Sequence, residues 1–168
     1  MKIKRYIFLL ITLCVLSVAV FFALKKININ PKYHIGQIID SINGVYVYYN
    51  GGIDNTCGRN IAADNYNLGL KYQCVEFVKR YYYQHLNHKM PDTYGNAKDF
   101  FDEKTKDGQI NKKRNLIQYK NPSSTKPMAD DILIFDGTVS NKYGHIAIIS
   151  KVTDKEIEIV QQNPGQFD

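Results

Sequence analysis

The 168-residue sequence is poor in cysteine, and this scarcity limits how its domain can be held together. Cys14 lies inside an apolar run, so only Cys57 and Cys74 remain for the rest of the chain. A single disulfide at most joins these two, whereas small secreted scaffolds with little core carry several. With 44% apolar residues the chain can instead bury a core. The sequence therefore predicts a free, reactive thiol rather than a stapled scaffold.

The chain also lacks an excess of one charge once its N-terminal segment is set aside. Five of its basic residues come before residue 27, namely Lys2, Lys4, Arg5, Lys25 and Lys26. Removing these five from the 22 basic residues leaves 17 against 16 acidic residues. Binding of nucleic acid needs a basic face, so no nucleic-acid partner is predicted. Nor does the composition indicate disorder, collagen or a repeat array.

Residues 6–24 form one uncharged, mostly apolar run, long enough as a helix to cross about 30 Å of hydrocarbon. The run continues past Ser17-Val18-Ala19, where a processed signal peptide would end. We therefore favour an uncleaved membrane anchor, with a cleaved signal followed by secretion as the alternative. The basic residues on either side weakly favour a cytoplasmic N-terminus. The predicted organisation is an anchor or signal segment at 1–26, a linker at 27–35 and an extracytoplasmic domain at 36–168.

The rest of the chain alternates strand and helix patterns. β-branched and aromatic residues predict a strand at 44–49, whereas the Asn, Asp and Gly content of 51–69 predicts a long surface loop. From Gln73 to about Leu86 apolar residues recur every three or four positions, which predicts an amphipathic helix with Glu76, Lys79 and Arg80 facing away from the core. A shorter helix is predicted at 96–101, and strands at 131–135, 145–150 and 156–161. The predicted class is α+β, with helices packed on a small antiparallel sheet.

The last two predicted strands form a hairpin whose register places polar residues together. If a three-residue turn pairs Val152 with Glu156, His145 lies opposite Asn163, and residue 147 lies opposite Gln161. Directly opposed residues share a face of a sheet. His145, Gln161 and Asn163 are therefore predicted to converge at one end of the hairpin.

These residues and the helix start together indicate nucleophilic catalysis. A cysteine at a helix N-terminus meets N–H groups and a helix dipole that favour the thiolate, so Cys74 is the candidate nucleophile. His145 would supply the base, and an amide side chain would orient its ring. Taken singly, a cysteine on an apolar helix face is more often a packing residue. The combination favours catalysis.

A metal site is the competing chemical hypothesis. His85 and His88 have a spacing that two ligands can share, but one such pair does not make a metal site. No metal and no cofactor are therefore predicted.

Four segments, in order and spacing, resemble the CHAP domain (cysteine, histidine-dependent amidohydrolase/peptidase) of the NlpC/P60-like, papain-like superfamily. They are Tyr72-Gln73-Cys74-Val75-Glu76-Phe77, Ala129-Asp130-Asp131-Ile132-Leu133-Ile134-Phe135, Gly144-His145-Ile146-Ala147-Ile148-Ile149 and Gln161-Gln162-Asn163. The resemblance extends from about Gly36 to Asn163 and is strongest to the glutathionylspermidine amidase members of the family. It implies a papain-like fold.

The resemblance also implies roles for single residues. It places the nucleophile at Cys74 and the general base at His145. The backbone N–H of Cys74, with Gln73 or a residue near Tyr72, would stabilise an oxyanion.

The third residue of the family is commonly Glu in a Glu-x-Asn pattern. Here Gln161 occupies that position and Asn163 is retained. A neutral Gln161 can orient His145 but cannot stabilise its imidazolium as a carboxylate does. Relatives also usually continue for at least one more strand, whereas this sequence stops at Asp168.

Three functions follow as expectations. The first is an exported cysteine amidase or endopeptidase acting on peptidoglycan peptides. The second keeps the chemistry but acts on a small amide such as glutathionylspermidine. The third is a catalytically weak binding or inhibitory module that kept the fold, which Gln161 and the early stop motivate.

Overall fold

This computed structural model describes residues 2–165, which contain two α-helices, one 3₁₀ turn and nine short strands. Met1 and residues 166–168, where the predicted catalytic domain ends, lie outside this range. The elements are α1 (Lys2–Leu24), β1 (Ile38–Ile42), β2 (Val45–Tyr48), β3 (Arg59–Ile61), β4 (Asn67–Leu70), α2 (Cys74–Gln84), a 3₁₀ turn (Ala97–Phe100), β5 (Gln109–Asn111), β6 (Leu116–Gln118), β7 (Ile132–Phe135), β8 (His145–Val152) and β9 (Ile157–Val160).

The described strands pair antiparallel in four small sheets: β1 with β2, β3 with β4, β5 with β6, and the three-stranded β7-β8-β9. The prediction of an α+β fold with small antiparallel sheets is confirmed. The short helix predicted at 96–101 is a four-residue 3₁₀ turn instead of an α-helix.

Residues 3–24 of the apolar helix α1 are exposed. Its segment Ile3–Leu24 has a mean hydropathy of 3.0 and is long and apolar enough to cross a membrane. A signal sequence near an N-terminus meets the same criteria, so length and composition leave both roles open.

Helix α2 supplies the centre of the core. Phe77, Val78 and Tyr81, which recur at helical spacing, are fully buried and form one cluster with Ile146 and Ile148 of β8. The predicted helix and its apolar face are confirmed. The packing brings Cys74, the first residue of α2, close to Ile146 at the start of β8.

The other side of α2 is buried as well, contrary to the sequence prediction. Glu76, Lys79 and Arg80 are 1%, 1% and 5% exposed. The reason is that residues 51–69 are not one long loop, because β3 and β4 form a hairpin that packs against α2. Gly69 permits this approach, since a Cβ there would lie 3.1 Å from the Glu76 Cα. The β3–β4 hairpin, which helps to bury these charged side chains, thus has no clear hydrophobic period in its sequence.

Two of the buried charges of α2, Glu76 and Arg80, form an ion pair. The Arg80 Nε donates to the Glu76 Oε1 at 2.6 Å, and Asn60 Nδ2 donates to the same oxygen at 2.7 Å. The Arg80 Nη1 donates to the Tyr46 carbonyl at 2.7 Å. Because a buried charge is tolerated only when paired and hydrogen-bonded, this pair ties α2 to β2 and β3.

Gln162 joins this network to the chain after β9. Its side chain is fully buried. Its Nε2 donates to the Glu76 Oε2 at 2.9 Å and to the Gln73 carbonyl at 3.0 Å, while its Oε1 accepts from the Tyr48 N–H at 2.8 Å. The start of α2 and the end of β9 are therefore fixed to each other.

The β8–β9 hairpin reaches the predicted register by a different route. Val152 pairs with Ile157 rather than with Glu156, so the predicted turn is wrong. A bulge between Ile149 and residue 151 then adds one residue to β8 and restores the predicted pairing, with Ile149 opposite Ile159. The predicted alignment therefore holds at Ile149–Ile159 and Ile148–Val160, and β9 ends before Gln161 and Asn163.

Replacing Arg80 by methionine tests the buried ion pair. Arg80→Met leaves the Glu76 carboxylate buried without its cation, and we expect the free energy of unfolding to fall by about 3–5 kcal/mol. The measurement is urea unfolding of the full chain in detergent. Lys151→Met is the control, because the exposed Lys151–Glu158 pair at 3.4 Å should contribute less than about 1 kcal/mol. Equal losses in the two variants would contradict the role given to Arg80.

Candidate active site

A cavity of about 640 Å³ lies where α2 and β8 both begin. Four of the six residues that the sequence nominates line it: Gln73, Cys74, His145 and Asn163. Cys74 is 9% exposed, and the backbone N–H of Ile146, the residue after His145, is within hydrogen-bonding reach of its sulfur. The fold thus brings a thiol and an imidazole into one cavity.

Burial has the largest effect on the pKa of the Cys74 thiol. Desolvation raises the pKa of Cys74 to about 11, and hydrogen bonds from the backbone N–H groups of Ile146, Val75 and Cys74 itself lower it by less. The helix start therefore acts in the expected direction but does not prevail. At neutral pH the thiol is protonated, and the thiolate expected from the sequence is not the favoured form.

His145 is neutral for the same reason. Burial lowers the pKa of His145 below its ordinary 6.5, and the hydrogen bond with Gln161 raises it by less. Its Nε2 lies 3.0 Å from the Gln161 Oε1. An amide oxygen can only accept, so Nε2 carries the proton and Nδ1 is left as the proton acceptor. This tautomer suits a general base.

Asn163 does not join Gln161 at the imidazole. Its backbone is in the left-handed region (φ 59°). Its Nδ2 donates to the Gln73 Oε1 at 2.8 Å and to the Ile53 carbonyl at 2.9 Å. Two polar side chains after β9 therefore have different partners, because Gln161 contacts His145 whereas Asn163 bonds Gln73.

The Gln73 side chain donates hydrogen bonds to two carbonyls of the loop 51–55. Its Nε2 donates to the Asn55 carbonyl at 2.6 Å and to the Ile53 carbonyl at 3.3 Å. Tyr72 packs its ring on that of Tyr48, with 5.3 Å between centroids, and is not among the residues lining the cavity. The oxyanion roles of Gln73 and Tyr72 remain predictions.

The cavity wall also carries charges that sequence reasoning missed. Lys26, Asp54 and Arg59 line it. The Arg59 Nη1 donates to the Asn67 Oδ1 at 3.1 Å, and its guanidinium lies 5.4 Å from the centre of the Tyr94 ring. No periodic pattern around Lys26 or in residues 51–69 indicated these positions. Gln162 also lacked a signal, because alternation in the last strand puts it on the side of Glu156 and Glu158, opposite Ile157 and Ile159.

The two histidines considered as metal ligands have separate partners. The His85 Nε2 lies 3.2 Å from Asn43 Nδ2, and the His88 Nε2 lies 2.9 Å from the Arg114 carbonyl. Within residues 2–165 no group of three or more His, Cys, Asp or Glu side chains is placed to hold a metal ion. The absence of a metal in the function stays a prediction.

Curated proteins are similar in sequence to part of this chain. Trypanothione synthetase of Crithidia fasciculata is 31% identical over 100 residues, which cover 60% of this chain and 15% of that protein. Bifunctional glutathionylspermidine synthetase/amidase of Escherichia coli is 30% identical over 112 residues, or 66% of this chain and 18% of that protein, and the Shigella flexneri protein matches equally. The chain thus spans less than a fifth of these relatives.

The CHAP domain matches residues 64–163, a segment that begins in the β3–β4 hairpin and ends at Asn163. It contains both cavity residues with nucleophile and base chemistry, Cys74 and His145. The resemblance drawn from the four sequence segments is confirmed, and the chain belongs to the CHAP domain family.

Proposed function

We propose that this chain is an exported, membrane-anchored cysteine amidase or endopeptidase with a papain-like catalytic domain. The observation that supports it is the shared cavity of Cys74 and His145, in which Gln161 holds the imidazole as a neutral base. Family membership supports amide hydrolysis as the class of reaction.

The first step starts from the neutral pair. The Cys74 sulfur attacks the amide carbonyl carbon while its proton passes to the His145 Nδ1, which forms an imidazolium. Backbone N–H groups at the start of α2 face the developing oxyanion, in the manner of an oxyanion hole. The imidazolium then gives its proton to the leaving amine, the C–N bond breaks, and a thioester on Cys74 remains.

The second step hydrolyses the thioester and regenerates the free Cys74 thiol. The amine leaves, and water takes its place beside the free His145 Nδ1. This nitrogen accepts a proton from water as the oxygen attacks the thioester carbonyl. The C–S bond breaks, the sulfur regains the proton, and the carboxylic acid leaves. Throughout, Gln161 keeps Nε2 protonated and Nδ1 available.

Peptidoglycan stem or cross-bridge peptides are the proposed substrate, because an anchored domain outside the membrane would meet them. A small amide such as glutathionylspermidine is the second candidate. The names of two relatives and the mixed charge of the cavity favour it, since Arg59 suits a carboxylate and Asp54 suits an amine. A module that binds without cutting is the third candidate.

Mass spectrometry of reaction products separates these candidates. The full chain in detergent is incubated with purified sacculi and, separately, with glutathionylspermidine. We expect new peptides from sacculi, and we expect Cys74→Ala to abolish them because no nucleophile remains. His145→Ala should lower the rate by about 10²–10⁴-fold, the usual contribution of a general acid–base residue. Turnover of glutathionylspermidine alone would transfer the proposal to the small amide, and binding without products would leave the binding module.

The pH dependence tests the neutral pair. Because the folded pKa of His145 lies below 6.5, the imidazole is neutral at pH 7, and the acid limb of kcat/KM should lie below pH 6.5. Gln161→Glu places a carboxylate beside Nε2, and an adjacent opposite charge raises a histidine pKa by about 1–3 units. The acid limb should therefore move to higher pH, with a higher plateau rate if the orienting residue limits catalysis.

Asn163→Ala serves as the control for this shift. Asn163 bonds Gln73 rather than His145, so this variant should change the rate without moving the acid limb. An acid limb that stays in place in Gln161→Glu would show that His145 is not the titrating group.

A further inference from the structure

The chain that follows α1 does not leave the domain but forms part of its cavity wall. The Asp54 N–H donates to the Lys25 carbonyl at 2.9 Å, and the Lys25 ammonium donates to the Ser140 carbonyl at 2.9 Å. The same ammonium lies 4.0 Å from the Asp54 carboxylate. Lys26, the next residue, lines the catalytic cavity. The end of α1 is therefore attached both to the loop 51–55 and to the loop that precedes β8.

Glycine at position 52 makes this attachment possible. A Cβ at Gly52 would lie 2.3 Å from the Lys25 carbonyl oxygen, closer than side chains approach. Farther along, the Asn28 Nδ2 donates to the Tyr33 carbonyl at 2.9 Å and its Oδ1 accepts from the Tyr49 hydroxyl at 3.0 Å. Residues 25–35 thus pack on the domain through specific contacts.

The same loop reaches the catalytic residues. The Ile53 carbonyl accepts hydrogen bonds from both Gln73 and Asn163. Ile53 directly precedes Asp54, which bonds Lys25. A short run of hydrogen bonds therefore connects the end of α1 to the residue before Cys74.

The second attachment also leads to the catalytic site. The loop 136–144 joins β7 to His145, and its tip residue Val139 is fully exposed. This tip and two phenylalanines of the last turns of α1, Phe21 and Phe22, line one shallow cleft together with Lys25. Val139, the apolar residue between Thr138 and Ser140, therefore lies beside the last turns of the apolar helix.

Chain length limits how far the cavity can be from a membrane that holds α1. Lys26 is two residues beyond Leu24, so its Cα lies at most about 7 Å past the apolar helix. The headgroup layer on each side of the hydrocarbon is about 5–8 Å thick. Lys26, which is exposed, suits this layer, because long basic side chains near the end of a span extend to the interface.

From this geometry, and resting on the proposed membrane anchor, we propose that the catalytic cavity opens at the membrane surface with Val139 in the lipid interface. The substrate is then an amide-bearing molecule held at that surface, of the chemical class of a peptide attached to a lipid. A free polymer or metabolite would reach such a cavity less often than a molecule attached to the bilayer.

Tryptophan fluorescence tests the placement without any need for activity. The sequence has no tryptophan, so Val139→Trp introduces a single reporter into the full chain. The chain is placed in vesicles of phosphatidylcholine and phosphatidylglycerol with lipids brominated near the headgroup. We expect blue-shifted emission and strong quenching for Val139→Trp. The control Ile110→Trp, on the β5–β6 hairpin and 57% exposed, should show neither. Equal quenching in both variants, or none in Val139→Trp, would overturn the proposal.

Hydrolysis tests the substrate class. One amide peptide is offered to the full chain in vesicles, either free or attached to a phospholipid headgroup. We expect the attached form to be cut at least about tenfold faster, because attachment raises its effective concentration at the cavity. Val139→Glu should remove most of that preference and leave the free peptide unaffected, whereas Ile110→Glu should change neither rate. Equal rates on the two forms would overturn the proposed substrate class. If neither form is cut, the proposed function fails, and the quenching experiment still decides the placement.

Discussion

The buried side chain of Gln162 is the contact on which the two halves of the site depend. It bonds the Gln73 carbonyl just before α2 and the Glu76 carboxylate in the first turn of that helix. Gln162 follows Gln161 directly, so fixing one fixes the other. The position of the helix that carries Cys74 is thereby set relative to the residue that orients His145. Because an unpaired buried polar group is costly, this arrangement has little freedom to shift.

The electrostatics of the site are consistent with a glutamine at position 161. Burial raises the pKa of Cys74 and lowers that of His145, so both groups favour their uncharged forms. A neutral amide orients the imidazole without drawing a positive charge onto it. A carboxylate there would stabilise imidazolium and with it a thiolate–imidazolium pair. Gln161, at the position where the family commonly has Glu, is therefore consistent with the proposed mechanism, in which the thiol loses its proton during attack rather than before it.

The loop 51–55 is the second junction of the structure. It accepts hydrogen bonds from Gln73 and Asn163 on one side and bonds the end of α1 on the other. A segment with no regular secondary structure therefore links the apolar helix to the candidate active site. The close approach of the Lys25 carbonyl needs Gly52 in this loop, and Gln73 and Asn163 supply the amide donors to its carbonyls.

The sequence by itself determined the elements that depend on local pattern. The three- and four-residue spacing of apolar residues defined α2 with Cys74 at its start. An apolar run defined the strand that begins at His145, and alternation defined the strand that precedes Gln161. Tertiary structure decided what local pattern does not encode. The burial of Glu76 and Arg80, the turn of Asn163 towards Gln73 and the place of Lys26 in the cavity wall all depend on contacts between segments distant in the chain. Charged side chains on a helix indicate solvent unless another segment covers them, and that covering segment, β3–β4, has too little periodicity to be recognised.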